Sequence, residues 1–168
     1  SNKYILNSLK IGINTEGFVS GSDKTYLNIK GELIIKGCWS IGRGCRVYVA
    51  PGGIMEIGNG GYVNSFTDFI IGDKLVIGNN CIISWKCQFL NEDNHIIEYK
   101  DRKQKTKEII IGNHVWIGSN VKIHAGTKIP DNCVIASDSV IKTVFNKQNV
   151  LIGGNPAKVL KENVTWHV

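Results

Sequence analysis

Residues 111–141 read IGNHVW IGSNVK IHAGTK IPDNCV IASDSV I, a six-residue repeat that opens on isoleucine in every unit. The six isoleucines are Ile111, Ile117, Ile123, Ile129, Ile135 and Ile141, and the residue four positions after each of the first five is small or β-branched: Val115, Val121, Thr127, Cys133 and Ser139. A period of six does not fit the 3.6-residue helical turn, but it is a multiple of two, so every isoleucine can face one side of an extended chain. Three units then form one turn of a three-sided solenoid, in which each isoleucine stacks on its equivalent in the next turn.

The same spacing extends through most of the chain. Its earlier positions are Ile29, Ile35, Ile41, Val47, Ile57, Val63, Ile71, Ile77, Ile83 and Phe89, with register slips at Gly52–Gly53 and near Phe69. Residues 1–28 are the least regular, and we expect a degenerate coil there that caps the stack. The sequence therefore predicts an all-β, parallel β-helix that forms a single domain over residues 1–168.

The repeat is interrupted once and ends before the chain does. Residues 91–108 form a polar stretch of eighteen residues, after which the repeat resumes in register. Long loops in compact folds are usually functional or disordered. Because the repeat resumes in good order, we interpret 91–108 as an insertion at one corner. Residues 144–168 form a tail that we expect to leave the coil and to cover its open end with a short helix or strand.

Nineteen glycines accompany only three prolines. Many of the glycines directly follow a repeat position, as Gly42, Gly58, Gly72, Gly78, Gly112 and Gly118 do. A solenoid turns sharply every six residues, and we expect glycine to relax the backbone limits at those corners.

Composition and charge narrow the function. The chain is 42% hydrophobic and 20% charged, as in ordinary soluble domains. It has no apolar run near twenty residues, so we expect no membrane span, and its first residues do not read as a signal peptide. Much of the net charge of +6 lies at 100–107, where no aromatic residues interleave the basic ones, and this argues against a nucleic-acid partner. A basic surface suits an anionic small ligand as well as it suits a nucleic acid.

The five cysteines are Cys38, Cys45, Cys81, Cys87 and Cys133. Their number is odd, no CxxC occurs, and three of them fall on the small inward position of a repeat unit. We interpret them as small buried hydrophobes in a reducing cytoplasm, in preference to disulfide or metal roles.

The repeat units, the polar loop with its histidine and the closing segment Gly154-Asn155-Pro156-Ala157-Lys158 together resemble the hexapeptide-repeat acyltransferases. The branch is that of the maltose and galactoside O-acetyltransferases and their capsule- and lipopolysaccharide-modifying relatives, and the resemblance covers roughly residues 29–162. It implies a left-handed β-helix, against the usual right-handed crossover rule. It also implies a homotrimer that binds acetyl-CoA between neighbouring prisms and needs no metal.

Acyl transfer from a thioester needs a base, donors for the tetrahedral oxyanion and a groove for the pantetheine arm. The resemblance implies that His95, at the start of the inserted loop, is the base. Asp93 is the candidate that orients its imidazole, with Glu92 and Glu98 behind it. The remaining histidines are interpreted as non-catalytic: His114 and His124 as solvated corner residues, and His167 as a mobile residue near the end of the sequence.

Residues 115–119, Val-Trp-Ile-Gly-Ser, resemble the family segment that meets the coenzyme. By that match the backbone N–H of Ser119 is the oxyanion donor, and Trp116 points outward to line the cleft or to pack at a surface. The predicted coenzyme-binding set is Trp116, Gly118, Ser119, Ala136, Ser137, Lys142, Asn155, Pro156, Lys158 and Lys161. Family members often carry Thr-Lys where this chain has Lys142-Thr143, so the basic group is displaced by one residue.

On the acceptor side, the resemblance points to Asn64 as a ligand of a sugar hydroxyl, and Ser84 and Trp85 lie one coil edge before the inserted loop. Aromatic faces stack on sugars, although Trp85 suits core or interface packing equally well. We predict an acetyl-CoA-dependent O-acetyltransferase acting on a sugar hydroxyl, in polysaccharide, capsule or lipopolysaccharide biosynthesis. The alternatives are N-acetylation of an amino sugar, a non-catalytic β-helical scaffold, and a zinc carbonic anhydrase, which needs three clustered histidines.

Overall fold

The computed structural model of the chain describes residues 4–14, 17, 19–92, 95, 98, 100 and 107–168. All of the regular secondary structure within these ranges is β-strand. The strands are β1 Tyr4–Ile13, β2 Tyr26–Ile29, β3 Glu32–Gly42, β4 Arg46–Val49, β5 Ile54–Ile57, β6 Gly61–Val63, β7 Asp68–Ile71, β8 Lys74–Ile77, β9 Cys81–Ile83, β10 Gln88–Leu90, β11 Ile109–Ile111, β12 Trp116–Ile117, β13 Lys122–His124, β14 Lys128–Ile129, β15 Val134–Ile135, β16 Val140–Ile141, β17 Val150–Gly154 and β18 Ala157–Glu162. The described residues form no helix that is long and apolar enough to cross a membrane.

The strands stack into three faces of a prism. Face I holds the first half of β3, then β5, β8, β11 and β14; face II holds the second half of β3, then β6, β9, β12, β15 and β17; face III holds β2, β4, β7, β10, β13 and β16. Neighbouring coils pair in parallel, as Ile117 of β12 does with Ile83 of β9 below and with Ile135 of β15 above. This is the predicted three-sided parallel β-helix. Most of the strands are only two to four residues long, because the chain turns a corner within each six-residue unit.

The repeat isoleucines form the core. All six from Ile111 to Ile141 are at most 1% exposed, and they stack on the earlier positions in register. On face III, Phe69 and Phe89 lie parallel, with ring centroids 4.7 Å apart. The register slip near Phe69 therefore leaves its ring inside the prism, fully buried. One continuous apolar column runs the length of the stack.

The glycines after the repeat positions have a different role from the one the sequence suggested. None of the six has a positive φ; a left-handed residue lies two positions after five of them, as at Asn80 and His114. What excludes a side chain is the next coil: a Cβ on Gly78 would lie 2.5 Å from the carbonyl oxygen of Gly112. These glycines are needed because successive coils approach closely, and the prediction that they relax the corner backbone is wrong for them.

Asparagine and aspartate side chains tie the coils together along the edge between faces I and II. The Oδ1 atom of Asn59 accepts the N–H of Cys38 at 3.0 Å, and that of Asn79 accepts the N–H of Asn59 at 2.7 Å. Asn113 and Asp131 continue the series at 2.9 Å and 2.8 Å. Each coil thus satisfies a corner N–H of the coil before it, a ladder that the sequence analysis did not predict.

Strands also lie at both ends of the stack. At the start, β1 pairs in parallel with β3. At the other end, β17 pairs in parallel with β15, so residues 150–154 still extend face II within the tail. The tail then reverses through Asn155 and Pro156 into the antiparallel strand β18. Of the two alternatives for the tail, the structure forms a strand.

All five cysteines are free thiols. Cys45, Cys81, Cys87 and Cys133 are buried, and Cys38 is exposed. Burial raises the pKa of Cys45, Cys81 and Cys87 to about 11 and raises that of Cys133 in the same direction. The interpretation of the inward cysteines as small buried hydrophobes is confirmed.

Candidate active site

The edge between faces II and III collects many of the predicted site residues. Asn64, Ser84, Gly118 and Ala136 each follow a buried face II residue, and backbone hydrogen bonds link them coil to coil: the N–H of Asn64 donates to Ile83, that of Ser84 to Ile117 and that of Gly118 to Ile135. The next residue in each coil is Ser65, Trp85, Ser119 and Ser137 in turn. Predicted acceptor residues and predicted coenzyme residues therefore stack along one edge.

A groove of about 200 Å³ opens on face II beside this edge. Its wall on the edge side is formed by Asn64, Ser84 and Trp85, and its floor includes Trp116. The Trp116 ring is 41% exposed, which confirms that it points outward, and its Nε1–H donates to the Ser84 hydroxyl at 3.2 Å. An amide, a hydroxyl and two indoles thus face one concavity, a combination suited to a polar ligand with an apolar face.

Five lining residues were missed from the sequence: Tyr62, Ile82, Trp166, His167 and Val168. Tyr62 and Ile82 precede the buried Val63 and Ile83, so they occupy the same outward position as Trp116, and the repeat contained that signal.

Trp166 had no such signal, because it lies beyond the repeat. Its ring is only 7% exposed, its Nε1–H donates to the His114 carbonyl oxygen at 3.0 Å, and its face stacks on the His114 imidazole at 4.1 Å. His167 is exposed, and it lies in the groove wall immediately after the buried Trp166.

The predicted oxyanion donor already has a partner within the chain. The N–H of Ser119 donates to the Ser137 hydroxyl at 3.1 Å. One coil on, the N–H of Ala136 donates to the Ile152 carbonyl oxygen at 2.8 Å. A ligand that uses the Ser119 N–H must displace or share the Ser137 hydroxyl, and the N–H of Ala136 is committed to the coil.

The other predicted coenzyme-binding residues lie elsewhere. Asn155 and Pro156 form the exposed turn between β17 and β18, and Lys158 and Lys161 are exposed on β18. Lys142 is exposed after β16, at the edge between faces III and I. The structure therefore does not bring Lys142 to the edge that carries Ser119 and Ser137.

The inserted loop leaves the edge between faces III and I. Asn91 at its root is 2% exposed and holds the coil below: its Oδ1 accepts the N–H groups of Gly72 at 2.9 Å and Asp73 at 3.3 Å, and its Nδ2 donates to the Lys74 carbonyl oxygen at 3.0 Å. Near the two ends of the loop, the Nζ of Lys107 lies 3.8 Å from the Oε1 of Glu92.

The loop carries the predicted catalytic pair. His95 and Glu98 are exposed. Asp93, predicted to orient His95, lies outside the described residues. The catalytic assignment of both residues stays a prediction.

The other histidines occupy separate parts of the prism. His114 lies at a corner, as predicted, but it is half-buried and not solvated: its φ is 52° and its Nδ1 lies 3.1 Å from the Oδ1 of Asn132. His124 is the last residue of β13 on face III. Over the described ranges, no three His, Cys, Asp or Glu side chains are grouped so as to hold a metal ion.

Comparison with protein families and curated proteins identifies relatives of this chain. Residues 108–143 match the family model described as "Bacterial transferase hexapeptide (six repeats)". An uncharacterised 24.8 kDa protein of the cps region of Klebsiella pneumoniae is 38% identical over 165 residues, which are 98% of this chain and 74% of the relative. Galactoside O-acetyltransferase of Escherichia coli (strain K12) is 37% identical over 120 residues, 69% of this chain and 58% of the relative. Polysialic acid O-acetyltransferase of Neisseria meningitidis is 42% identical over 96 residues, 55% and 45% of the two chains.

Solved structures share the fold. The polySia specific acetyltransferase NeuO superposes with a TM-score of 0.67 at 22% identity, over 99% of this chain and 78% of that one. A hexapeptide-repeat acetyltransferase of Vibrio cholerae, complexed with acetyl coenzyme A, gives a TM-score of 0.56 at 25% identity, over 77% and 70% of the two chains. These neighbours are left-handed β-helices, in agreement with the predicted fold class.

Proposed function

Because this chain belongs to the hexapeptide-repeat transferase family, we propose that it transfers an acetyl group from acetyl-CoA to a hydroxyl group of a sugar. Membership confirms the predicted family and the predicted acyltransferase class, with acetyl-CoA as the donor. The acceptor, the roles of individual residues and the assembly are the proposal.

The acceptor class is supported by the groove and by the relatives. Two relatives are named for acetylating a galactoside and polysialic acid, and a third is encoded in a cps region. The groove presents the amide of Asn64 and the indoles of Trp85 and Trp116, which suit the hydroxyls and the apolar face of a pyranose. This juxtaposition on one edge is the observation that carries the proposal, and it favours a role in polysaccharide, capsule or lipopolysaccharide biosynthesis.

The proposed chemistry uses the imidazole of His95 and the backbone N–H of Ser119. His95 takes the proton of the acceptor hydroxyl as its oxygen attacks the thioester carbonyl carbon. The N–H of Ser119 stabilises the oxyanion. The Ser137 hydroxyl, which accepts this N–H at 3.1 Å in the structure, then rotates away or shares the hydrogen bond. Collapse of the intermediate expels the CoA thiolate, which takes the proton from the His95 imidazolium and leaves as the thiol.

The separation of these groups supports a homotrimer. The loop with His95 leaves the edge between faces III and I, whereas Ser119 and the groove lie at the edge between faces II and III. Face III stands between the two edges, and with strands rising about 3.3 Å per residue it measures roughly 10–15 Å across. A neighbouring prism that brings its loop against this edge completes the site, and a ring of three such heterologous contacts closes.

We also propose a cytoplasmic location. The free thiols of Cys45, Cys81, Cys87 and Cys133 are buried and unpaired with one another, which suits a reducing compartment. Acetyl-CoA as the donor suits the same compartment.

The test is a thiol-release assay with acetyl-CoA and a panel of acceptors: methyl galactoside, oligosialic acid, glucosamine and chloramphenicol. His95→Ala should lower the rate 10²- to 10⁴-fold with the preferred sugar. His124→Ala is the matched control, since it removes the same side chain from face III, and it should leave the rate within about twofold.

Each contrary outcome is informative. Full activity in His95→Ala, with loss in His167→Ala, would move the base to the groove histidine. Turnover of glucosamine alone would make the enzyme an N-acetyltransferase. No turnover with any acceptor, together with no binding of acetyl-CoA, would leave a non-catalytic scaffold.

A further inference from the structure

The Trp116 ring is held in place although the residue is 41% exposed. An exposed indole normally samples several rotamers, because few contacts restrict it. Here the Nε1–H is bound to the Ser84 hydroxyl at 3.2 Å, and the Trp166 ring packs against Trp116 at 6.1 Å with a tilt of 47°. Both are favourable contacts for an aromatic pair and for an indole N–H.

Trp166 is itself fixed, by the corner that precedes Trp116 in the same coil. Its ring stacks within 8° of parallel on the His114 imidazole, and its Nε1–H donates to the His114 carbonyl oxygen at 3.0 Å. His114 has a φ of 52° and its Nδ1 lies 3.1 Å from the Oδ1 of Asn132. A buried Trp whose N–H is satisfied is a rigid element, so Trp166 provides a stable base for Trp116.

Residues 164–168, which we name the strap, bring this Trp across face II. The strap begins where the N–H of Val164 donates to the Asn149 carbonyl oxygen at 2.8 Å. It covers the outer side of face II, where Trp166 packs with Ile82 and Val134 in a small cluster separate from the main core. The strap then lines the groove with His167 and Val168. This cluster is separate from the column of buried isoleucines.

We propose that the strap is a wall of the acceptor groove and that Trp166 is a positioning residue, which holds the Trp116 ring at the angle needed to stack on the sugar. The proposal rests on the proposed function, because it assigns the groove to the acceptor of that reaction. Without Trp166, one flank of the Trp116 ring loses its neighbour and the Ser84 hydrogen bond is left to orient the ring. The groove then admits the sugar in more than one pose, so acceptor binding weakens while the chemistry of a correctly placed acceptor is unchanged.

The test compares Trp166→Ala and Trp166→Phe with Val159→Ala, an exposed β18 residue that does not line the groove. In Trp166→Ala we expect the acceptor KM to rise about five- to tenfold, with kcat and the acetyl-CoA KM within twofold. Trp166→Phe keeps a six-membered ring over His114 but loses the N–H and part of the ring area, so its acceptor KM should rise less than in Trp166→Ala. The near-UV circular dichroism from the Trp116–Trp166 pair should fall in Trp166→Ala, and thermal unfolding of all three variants verifies that they are folded.

Binding separates this proposal from the proposed function. Quenching of tryptophan fluorescence by methyl galactoside or oligosialic acid, without acetyl-CoA, reports groove occupancy even if no acetyl transfer occurs. Sugar binding without turnover would overturn the proposed function and leave the strap to be judged by whether Trp166→Ala weakens that binding. An unchanged acceptor KM in Trp166→Ala, a rise in the acetyl-CoA KM instead, binding of chloramphenicol in place of sugars, or no ligand bound by the wild type would each overturn the role of the strap. If Trp166→Ala fails to fold, Trp166→Phe decides in the same way.

Discussion

Replacing Gly78 by alanine tests the claim that coil spacing governs these glycines. A Cβ at this position would lie 2.5 Å from the Gly112 carbonyl oxygen and 2.6 Å from its carbon. It would also lie 2.7 Å from the nitrogen of Asn113. All three atoms are backbone, so no side chain can rotate aside, and the two coils must separate by about 1 Å to regain ordinary contact.

The cost follows from what that separation disturbs. Forcing one extra carbon into a packed position costs about 1–3 kcal/mol. Two hydrogen bonds between the same coils lengthen as well: Gly78 N–H to the Ile111 carbonyl oxygen, now 2.9 Å, and Asn79 N–H to the Oδ1 of Asn113, also 2.9 Å. Each contributes about 0.5–1.5 kcal/mol, so we expect Gly78→Ala to lower the free energy of unfolding by about 2–6 kcal/mol.

Two other glycines supply the controls. A Cβ on Gly21 meets nothing within 4 Å, so Gly21→Ala should change stability by no more than about 0.5 kcal/mol. Gly52 is equally open but has a φ of +80°, so Gly52→Ala should cost only the left-handed backbone penalty of about 1–2 kcal/mol. The measurement is urea unfolding, followed by circular dichroism at one fixed protein concentration, because association would shift the midpoint.

The order of the three variants decides the question. Gly78→Ala should be the least stable, followed by Gly52→Ala and then Gly21→Ala. If Gly78→Ala is as stable as Gly21→Ala, the coils can move apart without cost and the close-approach argument is wrong. If Gly52→Ala is the least stable, backbone conformation outweighs coil spacing.

Three further predictions concern the core, the buried thiols and the loop root. Ile83→Ala should lower the free energy of unfolding in urea by about 2–5 kcal/mol, because Ile83 is fully buried. Val144→Ala, at a residue that is 49% exposed, should lower it by at most about 0.5 kcal/mol. Equal losses in the two variants would contradict the stacked core. Burial raises the pKa of Cys81 from 9.0 to about 11, so the folded state holds this proton more tightly and stability is lost as pH rises from 9 to 11. Cys81→Ser should reduce that loss by about 2–3 kcal/mol in unfolding measured against pH, and an unchanged slope would refute it. Asn91→Ala removes three hydrogen bonds to residues 72–74, so the free energy of unfolding should fall by about 2–3 kcal/mol and acetyl transfer should slow; no change in either would show that the root is not anchored there.

The repeat made the core predictable from sequence, residue by residue. Ile117 and Ile135 are buried because a six-residue period returns every isoleucine to the same side of the strand. The outward direction of Trp116 follows from the same period, and the same reasoning applied to Tyr62 and Ile82 would have found two more groove residues. The alignment of Asn64 with Ser84 along one edge was blurred in the sequence by the register slips.

Other features depended on contacts that no local pattern encodes. The glycine after a repeat position looked like a corner residue, but its requirement comes from the coil above, which lies roughly eighteen or more residues away in sequence. Trp166 contacts His114 from 52 positions away, and nothing in the residues around either predicts the pairing. The bond from the Ser119 N–H to the Ser137 hydroxyl likewise appears only when one coil is laid on the next.

The sequence by itself determined the solenoid and its buried column, because hydrophobic periodicity is a local property that each unit repeats. Motif resemblance added the chemistry of acetyl transfer. Only the tertiary structure decided which residues share an edge, what sits over the groove and where the inserted loop departs. Those relations depend on the stacking of coils and on the path of a non-repeating tail, and neither leaves a periodic signal in the chain.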